Sequence, residues 1–374
     1  LDEFRSRAME DQLPLVSLLT TKPLLLQSSH LSFQEYFAAR ALCEMGTRLS
    51  RKPPWQWSNA EDVKNDAFTY WSPWWANTLK LGEGMGEDFG KGLLCAAGME
   101  SDELDLTRQL NGGGFFYPRE ALLAVIALLV GLSKLNLQQN TIGDRDAAII
   151  AGRLKSNTSL TVLSLASNGI SIDGASAIAD ALRANSSLTS LDVCKNNVTG
   201  KGGQQLAEAV LSNQTLKMFC HIPLKELRAD ELTTLDLELR GIGVPGALVL
   251  AELLQTVSGS LTNLNLGGCD IGAEGGVAIA EVLRVNGSLR YLFLQKNNIG
   301  VVGASAIASA LEVNGSLISL NLAENELGPK GGMAVAEALR LSSSLTEVNL
   351  KDNNLGEVGW CAIFEVLRDN KDSQ

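Results

Sequence analysis

The 374-residue sequence predicts an α/β solenoid, a parallel sheet of short strands backed by helices and preceded by a mainly helical N-terminal region. Three observations carry this expectation. Leu132, Leu160, Leu188 and Leu216 recur every 28 residues, and after Leu232 the spacing returns through Leu261, Leu289, Leu317 and Leu345. Each start opens a short apolar alternation, such as Leu292-Phe293-Leu294, which buries every second side chain as a strand does. Each alternation is followed by a glycine-rich turn and an alanine-rich stretch such as Ala304 to Glu312, with Ala304, Ile307, Ala308 and Leu311 on one helical face.

The phrase Leu289-Arg-Tyr-Leu292-Phe-Leu294-Gln-Lys-Asn297-Asn-Ile299 matches Leu317-Ile-Ser-Leu320-Asn-Leu322-Ala-Glu-Asn325-Glu-Leu327. This L-x-x-L-x-L-x-x-N-x-I/L pattern is a leucine-rich repeat. At its ninth position Asn140, Asn168, Asn196, Asn297, Asn325 and Asn353 carry a short amide able to bond backbone groups where the chain leaves the strand, and Cys269 replaces it once. Leu135, Leu137, Leu163, Leu165, Leu292, Leu294, Leu320 and Leu322 are the expected core, with the residues between them facing solvent. Strands stack about 4.8 Å apart and helices about 10 Å, so a row of such units has to curve. The expected result is a horseshoe with a concave parallel sheet and convex helices. Unit length and alanine-rich helices resemble the ribonuclease-inhibitor subclass of leucine-rich repeats, a resemblance specific for fold and not for function.

One step breaks the period. Leu216 and Leu232 are only 16 residues apart, with Pro223 where a helix would begin, so a truncated, helix-less repeat is expected at 216–231. It reads either as a tolerated deletion or as a hinge or partner ledge. The domain expectation is therefore a helical region at 1–103, an atypical capping repeat at 104–131 completed by the apolar run Ala121 to Leu132, and the solenoid at 132–374.

Composition narrows the function classes. Lys and Arg total 31 against 42 Asp and Glu, a net charge of -11, which repels nucleic-acid phosphates and anionic lipid. Two histidines, His30 and His221, and six cysteines without a C-x-x-C pair suggest no zinc or redox motif and no histidine-based triad. No cofactor and no enzymatic activity are expected. The longest apolar run falls short of a membrane span and no leader peptide opens the chain, so a cytoplasmic protein is expected, without membrane or nucleic-acid partners. Leu1 in place of methionine is read as the mark of a fragment.

Upstream, Ser32 with Glu35 forms a capping box at the head of an amphipathic stretch. Leu31 through Ala39, Leu-Ser-Phe-Gln-Glu-Tyr-Phe-Ala-Ala, resembles the L-S-F-Q-E-[FY]-F-A-A segment at the distal end of NACHT-type NTPase modules, in the helical part leading into the repeats of NOD-like receptors. The resemblance implies that the repeats sense a ligand and restrain an NTPase module lying upstream of this chain. No G-x-x-x-x-G-K-[ST] occurs, and the stretch from Gly82 to Gly90 lacks the G-x-G-x-x-G spacing, so no nucleotide site is expected here. Five tryptophans between Trp55 and Trp75 could form a binding patch or the core of a short connector.

Two signals point elsewhere. Six Asn-x-Ser/Thr sequons, at Asn157, Asn185, Asn197, Asn213, Asn286 and Asn314, suggest a glycosylated ectodomain, yet five share one repeat position and are read as products of the repeat. The helix carboxylates Glu208, Glu252, Glu281, Glu312 and Glu337 are read as solvated surface, because one carboxylate per repeat makes no metal site.

The leading expectation is a protein-binding scaffold. Ran GTPase-activating proteins carry a similar horseshoe and supply the alternative, a regulator of a small GTPase. The candidate binding residues are the outward strand positions Asn263, Asn265, Tyr291, Phe293, Gln295, Ser319, Asn321, Glu347, Asn349 and Lys351. Tyr291 and Phe293, on one face of one strand, are the candidate anchors.

Overall fold

The computed structural model describes residues 16–21, 24–28, 102–108, 131–256 and 259–371. The NACHT-like segment 31–39, the tryptophans at 55–75, the glycine-rich stretch 82–90 and most of the run 121–132 lie outside the described residues. The chain divides into two units, Leu1–Leu135 with Asn157–Leu160, and Asn136–Ser156 with Thr161–Gln374.

In the first unit, β1 (Val16–Thr21) pairs antiparallel with β2 (Leu24–Ser28), the register shifting between Leu18 and Thr20. Strand β3 (Glu103–Asp105) spans the 103/104 boundary expected from the sequence. Lys134, on β4 (Lys134–Asn136), makes a 2.6 Å ion pair with Glu103.

The second unit is an α/β leucine-rich-repeat solenoid. Its elements run α1 (Asp144–Leu154), β5 (Val162–Ser164), α2 (Ile172–Ala184), β6 (Ser190–Asp192), α3 (Gly200–Ser212), β7 (Met218–Phe219), β8 (Ile222–Pro223), α4 (Leu224–Arg228) and β9 (Thr234–Asp236). They continue with α5 (Gly243–Thr256), β10 (Asn263–Asn265), α6 (Gly272–Val285), β11 (Tyr291–Phe293), α7 (Gly300–Leu311), β12 (Ser319–Asn321), α8 (Gly328–Leu341), β13 (Glu347–Asn349) and α9 (Gly356–Lys371). All eight leucines expected in the core are at most 2% exposed. On α2 the buried set Ala175, Ile178, Ala179 and Leu182 shows why one apolar stripe suffices, since each helix packs onto its neighbours in the row. Close helix approach excludes even a methyl group at some places: a Cβ at Gly202 would stand 2.5 Å from the carbonyl oxygen of Ile172.

The ninth-position asparagines form a ladder, buried at Asn140, Asn297, Asn325 and Asn353 and half-buried at Asn168 and Asn196. Asn297 Nδ2 donates to the carbonyls of Leu266, Leu294 and Gln295 at 2.7, 2.9 and 3.1 Å, while its Oδ1 accepts the backbone N–H of Cys269 and Ile271 at 3.0 and 3.3 Å. The backbone N–H of Asn297 donates in turn to Asn325 Oδ1 at 3.0 Å, and that of Asn325 to Asn353 Oδ1 at 2.9 Å. Cys269 keeps its rung by donating Sγ–H to the Leu237 carbonyl at 3.0 Å, and burial pushes its thiol up to about 11, so it stays a donor at neutral pH. A second set, Asn185, Asn213, Asn286 and Asn314, is at most 8% exposed. Asn185 Nδ2 donates to the Leu154 carbonyl at 2.7 Å and its Oδ1 accepts from the backbone of Ser187 and Leu188. These sequon amides are thus engaged in joining one repeat to the next.

The sheet differs from expectation at the truncated repeat. Strands β5, β6 and β7 pair in parallel, but β8 turns back antiparallel on β7, and a separate parallel sheet runs β9-β10-β11-β12-β13. Because β8 occupies the edge of β7, β9 has no place there. Nor is this repeat helix-less: α4 begins directly after Pro223, whose missing N–H is no loss at a helix start. Arg228 at the end of α4 donates to the carbonyls of Leu216, Val210 and Asn213 at 3.1, 3.2 and 3.2 Å, capping the C-terminal end of α3. The stack closes behind the break, where α3 packs on α5 and the backbone N–H of Lys195 donates to the Gly241 carbonyl at 2.8 Å.

Two outcomes test this packing. Leu292→Asp would bury an unpaired carboxylate at a fully buried site and should cost about 3 to 5 kcal/mol, read as a shift of the denaturant midpoint; superimposable melts would refute the register. The second concerns Asp144, which accepts the backbone N–H of Ser171 and Gly174 at 2.6 and 3.0 Å ahead of α2. Burial works against its charge, but the hydrogen bonds from the Ser171 hydroxyl and these two N–H groups outweigh it and hold the carboxyl below its usual range. A pKa lowered by folding adds stability above the unfolded value, lost as pH falls through the folded value. The stability gap between the parent and Asp144→Asn should therefore be steady at neutral pH and shrink below about pH 4; a gap independent of pH would contradict it.

Candidate functional site

The outward face of β9–β13 is built from columns set by the parallel register. Tyr291 stands between Asn263 and Ser319, Phe293 between Asn265 and Asn321, and Glu347 and Asn349 follow on β13. Tyr291 is 39% exposed and Phe293 half-buried. Asn263, Asn265, Asn321 and Gln295 are half-buried, whereas Glu347, Asn349 and Lys351 are exposed. Ser319 departs from expectation. It is 7% exposed and its hydroxyl donates to Glu347 Oε2 at 2.9 Å, a small side chain sunk between the larger Tyr291 and Glu347 of its own column.

The column containing Phe293 has a structural duty. At the equivalent position of other repeats Asn136, Asp192, Asp236, Asn265, Asn321 and Asn349 each accept, through Oδ1, the backbone N–H two residues on, at 3.0 to 3.1 Å. Each closes the turn out of its strand. Asn265, Asn321 and Asn349 are therefore partly spent on folding, and their recurrence is no sign of ligand recognition. Phe293 cannot make that bond, so its repeat forgoes a turn contact in favour of an aromatic ring.

Beside it, Gln295 lies over Gly267, where a Cβ would stand 2.3 Å from Gln295 Nε2. Nε2 donates to Glu238 Oε1 at 3.3 Å, and Asn265 Nδ2 reaches Glu238 Oε2 at 3.5 Å, so one carboxylate ties β9, β10 and β11 together. Gln295 Oε1 is buried and accepts no hydrogen bond among the described residues. Tyr291 and Phe293 together offer two rings on one strand, with the Gln295 amide tied down beside them.

Sequence reasoning overlooked three features. Glu238 lies before the last four units, yet it occupies the same column position as Gln295 and Lys351. Leu239 is 64% exposed at φ 58°, where equivalent positions hold Gln139, Ser167, Lys195, Gly268, Lys296, Glu324 and Asp352, also at positive φ. A leucine gains little from burial there, its side chain lying only over Gly268, and it is strained by the left-handed backbone. On α9, Trp360 and Phe364 stack at 5.8 Å and remain 41% and 60% exposed; their i, i+4 spacing was the available signal. Glu281 and Glu337 pair with Arg284 and Arg340 along exposed helix faces, as solvated carboxylates do.

The family model described as Leucine Rich repeat matches residues 156–179, 184–207, 258–280, 285–308, 313–336 and 341–360, so leucine-rich repeats are present. The matches skip the truncated repeat and the unit after it. Among solved structures the chain is similar to Leiomodin-1 Actin-Binding Site 2 (ABS2), with 23% identity, 41% of this chain and 90% of that chain covered, and a TM-score of 0.37. No curated protein matches it in sequence.

Replacing Leu239 tests whether the strained position serves the fold. Leu239→Asn, which tolerates the left-handed region, should raise stability by about 0.5 to 1 kcal/mol, seen as a higher urea midpoint at unchanged slope. A lower midpoint would mean that the leucine holds packing its exposure does not reveal.

Proposed function

We propose that the second unit is a protein-binding scaffold whose recognition surface centres on Tyr291, Phe293 and Gln295. The observation carrying this reading is the exposed ring of Tyr291 beside the half-buried ring of Phe293, which stands where neighbouring strands carry a turn-closing asparagine. Aromatic side chains on a rigid surface anchor protein partners, and a preorganised sheet spends little entropy on binding. Among the described residues no helix is long and apolar enough to cross a membrane.

The finer reading places the repeats in a cytoplasmic NOD-like receptor-type protein, where they sense a ligand and restrain an NTPase module. It is supported by the wording of Leu31 through Ala39 and by the order of that segment before the repeats. The same segment weighs against a regulator of the Ran GTPase-activating type. Burial of Asn185, Asn213, Asn286 and Asn314 makes these four sequons part of the fold, not glycosylation sites.

The test compares partners captured by the full chain, by Tyr291→Ala with Phe293→Ala, and by Trp360→Ala with Phe364→Ala. Anchors worth about 2 kcal/mol each would weaken capture by about 30-fold apiece and by up to about 10³-fold when both are removed, in the strand variant alone. Wild-type affinity in the strand variant, with loss in the α9 variant, would move recognition to the terminal helix.

A further inference from the structure

At the break in the sheet, groups far apart in sequence converge. One ligand atom each of Asp192, Cys194 and Cys220 lies within 4.8 Å of the others, and His221 Nε2 stands 3.7 Å from Asp192 Oδ2. Both cysteines are buried, Asp192 is half-buried and His221 is exposed. The absence of a C-x-x-C pair hides this arrangement, because Asp192 and Cys220 are brought together by the 28-residue repeat rather than by adjacency.

The backbone gives an independent reason to look for chemistry here. Cys220 and His221 form the two-residue turn between β7 and β8, at φ 47° and 64°. Tight hairpins of this kind call for Asn-Gly or Gly-Gly, and two side-chain-bearing residues without an amide are strained there. Nothing in the packing of the repeats asks for a thiol and an imidazole at such a turn. Asp192 is preset as well: its Oδ1 accepts the Cys194 backbone N–H at 3.0 Å, which orients the carboxylate and leaves Oδ2 toward the histidine.

We propose that Asp192, Cys194, Cys220 and His221 form a structural zinc site that fastens the β7–β8 hairpin to the end of β6. Two thiolates and one carboxylate are already gathered, and the His221 imidazole, beside Asp192 but outside that close group, would swing in as the fourth ligand of tetrahedral Zn²⁺, whereas Ca²⁺ and Mg²⁺ take oxygen ligands. Binding by thiols releases their protons, so zinc affinity at this site should rise with pH. The ion anchors the edge at which the parallel sheet stops. This reading is independent of where the partner docks.

The experiment uses the full chain, reduced and stripped of metal, titrated with Zn²⁺ and with Co²⁺ as a spectroscopic substitute. The expected result is an ion whose Co²⁺ form shows thiolate charge transfer and tetrahedral ligand-field bands, with a Tm that rises as zinc is added. Cys194→Ser and Cys220→Ser should abolish that signal, while Cys269→Ser and Cys361→Ser retain it. Should a cysteine variant fail to fold, Asp192→Asn and His221→Asn decide: the first keeps the Oδ1 acceptor and the second tolerates the left-handed turn. Each should bind zinc at least about tenfold more weakly, since even outer-shell partners of a metal ligand carry about 10- to 100-fold. Absence of binding by the reduced parent overturns the proposal. So does unchanged affinity in the Asp192 and His221 variants, or a Cys194–Cys220 disulfide found by peptide mapping in protein that binds no zinc.

Discussion

The second unit rests on an asparagine ladder that meets a hydrogen-bonding debt built into the repeat. Where each strand ends, the chain turns sharply through left-handed positions such as Lys296 and Asn298, and its backbone groups leave the sheet while still inside the protein. Such groups need partners, and water does not reach them. Asn297 and Asn325 supply donors and an acceptor in one short side chain, serving two adjacent repeats at once. Lateral stacking of the repeats, and hence the strand face itself, follows from that exchange. Each rung is complete only when its neighbour is present.

The same dependence explains how the solenoid tolerates its short repeat. No asparagine stands at the equivalent point of that repeat or at Arg240, so the ladder stops at Asn196 and resumes through Cys269. Continuity passes to other contacts: the Lys195 to Gly241 backbone bond, the packing of α3 on α5, and Arg228 over the last carbonyls of α3. The sheet does not share in this repair. Strand pairing needs a free edge, and the hairpin uses it. A row of helices therefore stays continuous while the row of strands divides, and the hairpin residues at the division, Cys220 and His221, are released from the pattern that governs the other repeats.

Departure from the pattern is also what marks the strand face. Asn265, Asn321 and Asn349 look like recognition residues until their Oδ1 atoms are found closing their own turns. Phe293 is informative for the opposite reason, since it gives up that bond. Gln295 needs Gly267 beside it to lie flat and reaches Glu238 across two strands. Residues that cost the fold something are better candidates for function than residues that recur.

The repeat, the core leucines and the strand–helix alternation were legible in the amino-acid order, because period and side-chain burial are local and a leucine every few residues can face only one way. The resting place of the sequon asparagines was half legible: their common repeat position was visible, their burial was not. Tertiary structure alone decided the rest. Ser319 sinks because its neighbours in the column, 28 residues away on either side, are larger. The truncated repeat acquires α4 because Arg228 finds the open carbonyls of α3. Two cysteines without a motif meet because stacking places residue 220 beside residue 192. These outcomes depend on which repeats touch and on what each leaves unsatisfied, and spacing along a single chain does not contain that information.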